Sequence, residues 1–397
     1  MDDTETPART NQDASTDLGT IPFNRPSIVG REMELMREAI EQGHTSAEGP
    51  FSSVAAEILT EATGGRSVLL TTSCTAALEM AALLLDIGPG DTVVVPSFGF
   101  VTTALAFVRQ GARVHFCDIE PDTLGLDPAH LETLMDETVR AVVPIHYSGV
   151  GCDLDGIKEV LARWPNAFLV EDNAHGLFGT YKGEPLGSHG RFATLSFHET
   201  KNFICGEGGA LVVNDPADVD RARVVYQKGT DRTAFLLGQV DKYSWQDTGS
   251  SFGLSDVLAA YLVAQLERRD RILERRAHVF DRYMTSLEPH VEDLGIRLPI
   301  VPEDRGTAYH MFYVLLSDRE RRDAVLTAMH AEGINSTFHY IPLHSSPHGR
   351  RVAASDVDCP VTDDLSGRLL RLPFFNELDD DHVDRVVESF LRASTRT

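Results

Sequence analysis

The chain has 397 residues, 42% hydrophobic and 24% charged, enough to bury a large core and to divide into two domains. Its formal net charge of -24 disfavours long-range attraction to nucleic acid or to an anionic membrane and leaves only local basic pockets for phosphorylated small molecules. The five cysteines are odd in number and form no CxxC pair; no apolar stretch approaches about 20 residues and the polar N-terminus lacks a signal-peptide core, so the expected location is the cytoplasm.

Residues 1–20 read as a polar, disordered tail. An extended IPFNRPSIVG follows, then EMELMREAIEQG with apolar residues at helical spacing and a second short helix in FSSVAAEILTEAT. An arm of this kind packs on a partner subunit, roofs a pocket or covers a sheet edge. From Ser67 to Asp172, the apolar runs SVLLT, DTVVVPS, RVHFCDI, VRAVVPIH and AFLVED alternate with segments long enough for helical crossovers, the pattern of a mainly parallel sheet covered on both faces. RFATLSF and GGALVVN add strands with less room for crossovers, so some mixed pairing is expected there.

Periodicity lapses from Gln227 to Gly253, and a long irregular segment inside a compact enzyme is more often functional than idle. LSDVLAAYLVAQLERRDRILERRAHVFDRYMTSL then predicts a long helix or helix pair that links to a smaller α+β domain, giving a large domain over 21–253 and a smaller one over 254–397. That smaller domain holds AYHMFYVLL, the helix DAVLTAMHAEG, a strand in STFHYIPL and the closing helix DDHVDRVVESFLRA.

Four constellations carry candidate chemistry. In LLTTSCTAALEM a strand runs through Ser73, Cys74 and Thr75 straight into a helix, which offers free amides and hydroxyls to a phosphate; helix capping explains Ser73 or Thr75 equally well. Phe100, at the junction in PSFGFVTTALAF, suits stacking on a planar cofactor or a place in the core. Asp172 closes a hydrophobic strand, where a carboxylate needs a cation or donors and a protonated ring nitrogen would serve; His175 lies three residues on, beside the same ring or in a structural hydrogen bond. Lys201, preceded by Ser196 on its strand, stands between aromatics, where a desolvated amine forms a Schiff base with a carbonyl compound. Phosphate cradle, ring stacker, acid and lysine together describe a pyridoxal 5'-phosphate (PLP) site.

The same residues resemble the DegT/DnrJ/EryC1/StrS sugar aminotransferases. TTSCTAAL, VVVPSFGFVTTALAF, VVPIHYSG, LVEDNAHGLFG, SFHETKNF, GEGGALVV, WQDTGSSFGLSDVLAAYLVAQL and FHYIPLHSS carry the likeness over essentially the whole ordered chain. The last two blocks are most similar to the branch that makes dTDP-4-amino-4,6-dideoxygalactose. The resemblance implies the type I aspartate-aminotransferase fold: a three-layer α/β/α large domain on a mainly parallel seven-stranded sheet, with a smaller C-terminal α+β domain. It implies that Lys201 and Asp172 are catalytic, with PLP joined to Lys201 and its pyridine nitrogen on Asp172. Phe100 and His175 would flank the ring, while Ser196 and Ser73-Cys74-Thr75 hold the phosphate.

Many members carry an Asn in GxNYRM that reaches the partner's phosphate; here the block reads GSSFGLS, with Ser251 at the Asn position. A homodimer with shared active sites is therefore implied, acting on a dTDP-linked keto sugar with L-glutamate as amino donor. His339, Tyr340 and His344 fall in the loop expected at the sugar-nucleotide mouth. The spacing of His339, His344 and His348 matches no zinc pattern, so no metal is expected. Related dehydratases replace the lysine by histidine, and Lys201 keeps the transaminase identity. The near alternative keeps the cofactor but gives an equatorial 4-amino or a 3-amino product on a related keto-sugar nucleotide; a silent scaffold that only binds PLP or a sugar nucleotide is the competing class, against which the intact Asp172 and Lys201 argue.

Overall fold

The computed structural model describes residues 19–28 and 30–396; the tail expected over 1–20 lies, up to residue 18, outside the described residues. Val, Leu and Ala runs build a seven-stranded sheet from β1 (Ser67–Thr71), β2 (Thr92–Pro96), β3 (Arg113–Cys117), β4 (Val139–Val142), β5 (Phe168–Asp172), β6 (Phe192–Ser196) and β7 (Gly209–Val213). Their order is β1-β7-β6-β5-β4-β2-β3. Only β7 runs against its neighbours, paired antiparallel to both β1 and β6, so the mixed pairing falls in the part of the sheet where the crossovers shorten.

Alternation along the strands feeds two apolar layers. Leu211 and Val213 of β7, with Val93, Val95 and Val170, pack toward α3 (Cys74–Leu84), α4 (Val101–Val108) and α7 (Val219–Tyr226). Ala210 and Val212, with Val68 and Leu195, face α2 (Pro50–Thr63) and α9 (Asp256–Leu266), while Val142 and Leu169 face α5 (Pro128–Leu134) and α6 (Leu154–Leu161). The irregular stretch after α7 holds one short helix, α8 (Arg232–Leu236).

The predicted helix pair breaks at residues 267–268 into α9 and α10 (Arg269–Leu287). α9 packs on α1 (Glu32–Glu41) and α2. The smaller core forms from α10, β8 (Tyr313–Leu315), α11 (Arg319–Ala331), β9 (Leu369–Arg371) and α13 (Asp380–Arg396), with α12 (Pro360–Arg368) leading into β9. Ile21 of the N-terminal arm joins this core, its N–H donating to Gly333 O (2.8 Å) and its carbonyl accepting from Asn335 N–H (3.0 Å).

The strand expected in STFHYIPL does not form: Thr337 alone bridges Arg371, and the chain continues as a loop. A strand sends neighbouring side chains to opposite faces. Here the rings of the consecutive residues His339 and Tyr340 stack on each other at 3.6 Å, while Phe338 and Ile341 are exposed.

Asp256 shows how two helices on one face of the sheet are locked to each other. Fully buried at the start of α9, it accepts Ser52 N–H and Ser52 Oγ–H at 2.7 Å each and Phe51 N–H at 3.3 Å, satisfying the free amides of α2 from 204 residues away. Asp256→Ala should lower stability by about 1–3 kcal/mol, read as a fall in the urea midpoint at unchanged slope.

Candidate active site

Strands β1, β2, β4, β5 and β6 all end at one sheet edge, and the loops leaving them wall a cavity of about 440 Å³. Its floor comes from the large sheet, while His310, His339, Tyr340, Arg371 and Phe374 enter from the smaller unit. Phe23 and Asn24 of the N-terminal arm complete it, so the arm roofs the pocket of its own chain.

At the end of β1, Ser73 caps α3, its Oγ accepting Ala76 N–H at 3.1 Å. Cys74 and Thr75 occupy the first positions of the helix, where amides have no intrahelical acceptor. The Ser73 side chain is thus the cap, which leaves the turn's amides free to meet an anion. A Cβ on Gly209 would overlap the Ser73–Cys74 backbone, so only glycine lets β7 start against this turn. Ser196, ending β6, lines the same end of the cavity edge formed by the strands.

Asp172 is buried and ends β5 with its side chain on the cavity wall. Thr103 Oγ1 donates to its Oδ2 (2.7 Å) and Ala174 N–H to its Oδ1 (3.2 Å). Burial pushes its pKa up, and these two donors and the Lys201 charge only partly oppose the shift. A carboxylate so placed is stabilised by a cation inside the cavity.

Its neighbour Glu171 points to the other side of the strand, fully buried. It accepts the N–H groups of Gly187, His189 and Gly190 at 2.7–2.8 Å and lies 2.9 Å from His146 Nε2. Cys152 N–H donates to His146 Nδ1 (3.2 Å), which leaves Nε2–H to donate to Glu171. Burial drives the Glu171 pKa up, but the His146 bond and the backbone donors outweigh it and hold the carboxyl below its ordinary value. The strand end is pinned as well, with Asp172 N–H on Pro144 O (2.9 Å) and Asp172 O accepting from His146 N–H (3.3 Å).

Lys201 sits in the loop between β6 and β7, held by its N–H to His198 O (2.9 Å). Burial lowers its pKa to about 8, against the opposing pull of Cys74 and Asp172. The next residue ties the loop to the smaller unit: Asn202 Nδ2 donates to Ala308 O (2.6 Å) and Asn202 Oδ1 lies 2.9 Å from His310 Nδ1. His310 follows Tyr309, whose φ of 51° is uncommon for a non-glycine residue. Arg276 holds that turn by donating to Tyr309 O (2.8 Å), His310 O (2.6 Å) and Asn376 Oδ1 (3.1 Å).

His175 lines the cavity with its ring stacked on His310 at 4.2 Å and its Nδ1 buried without a hydrogen-bond partner. Burial holds the pKa of His175, His310 and His339 well below the usual imidazole range, so all three are neutral at pH 7. Phe100 is half exposed at the entrance to α4 and lines the cavity opposite Tyr340, with ring centroids 6.3 Å apart. His339 and Tyr340 are in the wall, and Tyr147 Oη meets His339 Nδ1 at 2.6 Å.

Two expected residues stand elsewhere. His344 is outside the cavity wall, its Nδ1 2.7 Å from Ser97 Oγ and its Nε2 3.5 Å from Asp363. Ser251 is exposed, bridging Gln227 through the backbone, and does not line the cavity of its own chain. Among the described residues, no group of three His, Cys, Asp or Glu side chains is placed to hold a metal ion. Sequence reading missed Thr103, His310 and Arg371. The last two are polar residues inside the apolar runs AYHMFYVLL and LLRLPFF, which is the signal that marks them.

The model of the DegT/DnrJ/EryC1/StrS aminotransferase family matches residues 26–391. The chain belongs to this family. The spore coat polysaccharide biosynthesis protein SpsC of Bacillus subtilis is 33% identical over 378 residues, covering 93% of this chain and 96% of SpsC. Among solved structures, the putative sugar aminotransferase Spr1654 from Streptococcus pneumoniae in its PMP form is similar at TM-score 0.87 and 26% identity, over 95% of this chain and all of that one. DesV of S. venezuelae, in complex with a ketimine intermediate, gives TM-score 0.86 at 27% identity, over 96% of this chain and 100% of DesV.

As a member of the DegT/DnrJ/EryC1/StrS family, the protein is a PLP-dependent aminotransferase, and its own residues fit that cofactor. The buried Asp172 carboxylate awaits a cation, the Cys74 and Thr75 amides await an anion, and a neutralisable amine stands in the same cavity. Because the Lys201 pKa is lowered to about 8, the amine loses its proton well below the ordinary value of roughly 10.4. Capture of PLP by the apoprotein, followed by visible absorbance, should therefore speed up roughly tenfold per pH unit below 8 and level off above it. An inflection near the ordinary lysine value would contradict this environment for Lys201.

Proposed function

We propose that the protein transfers the amino group of L-glutamate to the C4 ketone of dTDP-4-keto-6-deoxy-D-glucose, giving dTDP-4-amino-4,6-dideoxy-D-galactose and 2-oxoglutarate. The observation that carries the transaminase reading is the single cavity in which Lys201, Asp172 and the Ser73–Thr75 turn meet. The sugar-nucleotide reading is supported by the GSSFGLS and FHYIPLHSS blocks and by relatives described as a sugar aminotransferase and a polysaccharide biosynthesis protein.

Bound PLP supplies a carbonyl that condenses with amines and a ring that takes up electron density. The Cys74 and Thr75 amides with Ser196 would hold its phosphate, Asp172 would keep a proton on its ring nitrogen, and Phe100 and His175 would flank the ring. The Lys201 amine, neutral above pH of about 8, removes the α-proton of glutamate in the first half and delivers a proton to sugar C4 in the second. The face of C4 turned toward Lys201 sets the axial product. His339 and Tyr340 wall the substrate side, and the arm residues Phe23 and Asn24 exclude water from above.

The reading includes a homodimer with shared sites. Leu236, Leu237, Tyr243 and Trp245 are exposed on the segment leading to Ser251, an apolar surface suited to a second copy. From that face Ser251 would reach the partner's phosphate turn.

Purified protein supplied with PLP should show a visible absorbance band that shifts on addition of L-glutamate, and Lys201→Ala should abolish both the band and multiple turnovers. NMR of the product should place an axial amine on C4. An equatorial C4 amine or an amine on C3 would rule out the dideoxygalactose assignment, and multiple turnovers by Lys201→Ala would overturn the lysine's role.

A further inference from the structure

His310 borders the active-site cavity from the smaller unit, and the protein engages only one of its ring nitrogens. Asn202 Nδ2 donates to Ala308 O (2.6 Å), a carbonyl that can only accept, so the amide turns its Oδ1 toward the imidazole. The 2.9 Å contact between that oxygen and His310 Nδ1 therefore puts the ring's hydrogen on Nδ1 and the lone pair on Nε2. Nε2 meets no hydrogen-bond partner among the described residues. Burial, reinforced by the charges of Lys201, Arg276 and Arg371, keeps the imidazole neutral, so Nε2 stays an acceptor at pH 7.

The direction of that lone pair is fixed from three sides. The bond to Asn202 orients the ring within its plane, and the stack on His175, 4.2 Å between centroids and 17° between planes, sets the plane itself. The main chain is held by His310 N–H donating to Ser148 O (3.2 Å) and by Arg276, which braces the carbonyls of His310 and of Tyr309 with its φ of 51°. A backbone in that sparsely populated region persists where its surroundings over-determine it. The acceptor is thus preorganised on a ligand cavity and left for a ligand to satisfy.

The chemistry of the two substrates narrows what it meets. Carboxylates and phosphates carry no hydrogen to donate, and the nearby Lys201, Arg276 and Arg371 charges disfavour an ammonium. L-Glutamate offers only two carboxylates and the amine it gives up. A keto sugar brings neutral hydroxyls. We propose that His310 is a specificity-determining residue whose Nε2 accepts a hydrogen bond from the hydroxyl beside the ketone, on C3 of the 4-keto-6-deoxy sugar. The inference rests on the sugar-aminotransferase reading above and names the sugar group that the site reads. C4 is the carbon at which Lys201 works, Asn202 ties the residue after Lys201 to His310, and of the two carbons flanking C4 only C3 carries a free hydroxyl. The depressed basicity of the ring suits an acceptor and leaves proton transfer to Lys201.

The pyridoxamine form of the wild-type holoenzyme is presented with dTDP-4-keto-6-deoxy-D-glucose and with its 3-deoxy and 2-deoxy analogues, and kcat/KM of the second half-reaction is compared. Loss of the 3-hydroxyl leaves a buried acceptor unpaired and should cost about 10- to 100-fold, against less than about threefold for loss of the 2-hydroxyl. In His310→Phe, which keeps a ring against His175, the preference for the 3-hydroxy over the 3-deoxy sugar should collapse to within about threefold. A wild type that uses the 3-deoxy sugar as well as the 3-hydroxy one, or a preference that survives in His310→Phe, would overturn the assignment. The ring hydroxyl of PLP is the other neutral hydroxyl available, and it is present in both half-reactions. A loss in the L-glutamate half-reaction of His310→Phe equal to that in the sugar half-reaction would assign Nε2 to the cofactor and also overturn the proposal. Failure of the wild type in both half-reactions would instead sink the transaminase reading.

Discussion

Two opposite charges shielded from water, one ending β5 and the other in the loop that follows the adjoining β6, set the terms for the rest of the structure. Asp172 closes β5 with its carboxylate pushed toward protonation by burial, and Lys201 follows β6 with its amine pushed toward neutrality by the same cause. Neither is settled by the protein alone. A ligand that presents a cationic ring nitrogen to one and a carbonyl to the other would relieve both.

Much of the surrounding structure holds these two groups still. Glu171 and His146, buried behind Asp172, clamp the end of β5 to the loop after β4 and to the turn before β6. Asn202 and His310 fasten the lysine loop to the smaller unit, and Arg276 fixes the turn that carries His310. Gly209 lets β7 meet the Ser73–Cys74 turn without a clash. The neutral, stacked His175 and His310 add polar surface to the cavity without adding charge.

The sheet was legible in the sequence because its strands are buried on both faces and read as unbroken Val, Leu and Ala runs; Asp172 was legible because it ends such a run, and Lys201 because it follows the next run in the company of a helix-opening turn, an aromatic and that acid. STFHYIPL misled: its residues suit a strand, yet His339 and Tyr340 stack together toward the cavity and break the two-residue alternation. His344 was less readable than His339, since both lie in one loop and only the packed structure shows which one faces the site and which one Ser97 holds. Thr103 and Arg371 come from segments 268 residues apart, and no local pattern announces that folding brings both to one cavity.

The central claim is that Asp172 makes the bound cofactor an electron sink while Lys201 captures it and moves the proton. Asp172→Asn separates those roles, since it keeps the size and the bond from Thr103 while removing the charge. Single-turnover rates with L-glutamate should fall about 10²–10³-fold in this variant although it still captures PLP through Lys201 and shows a visible band. A rate within about tenfold of wild type, with the band intact, would contradict the account.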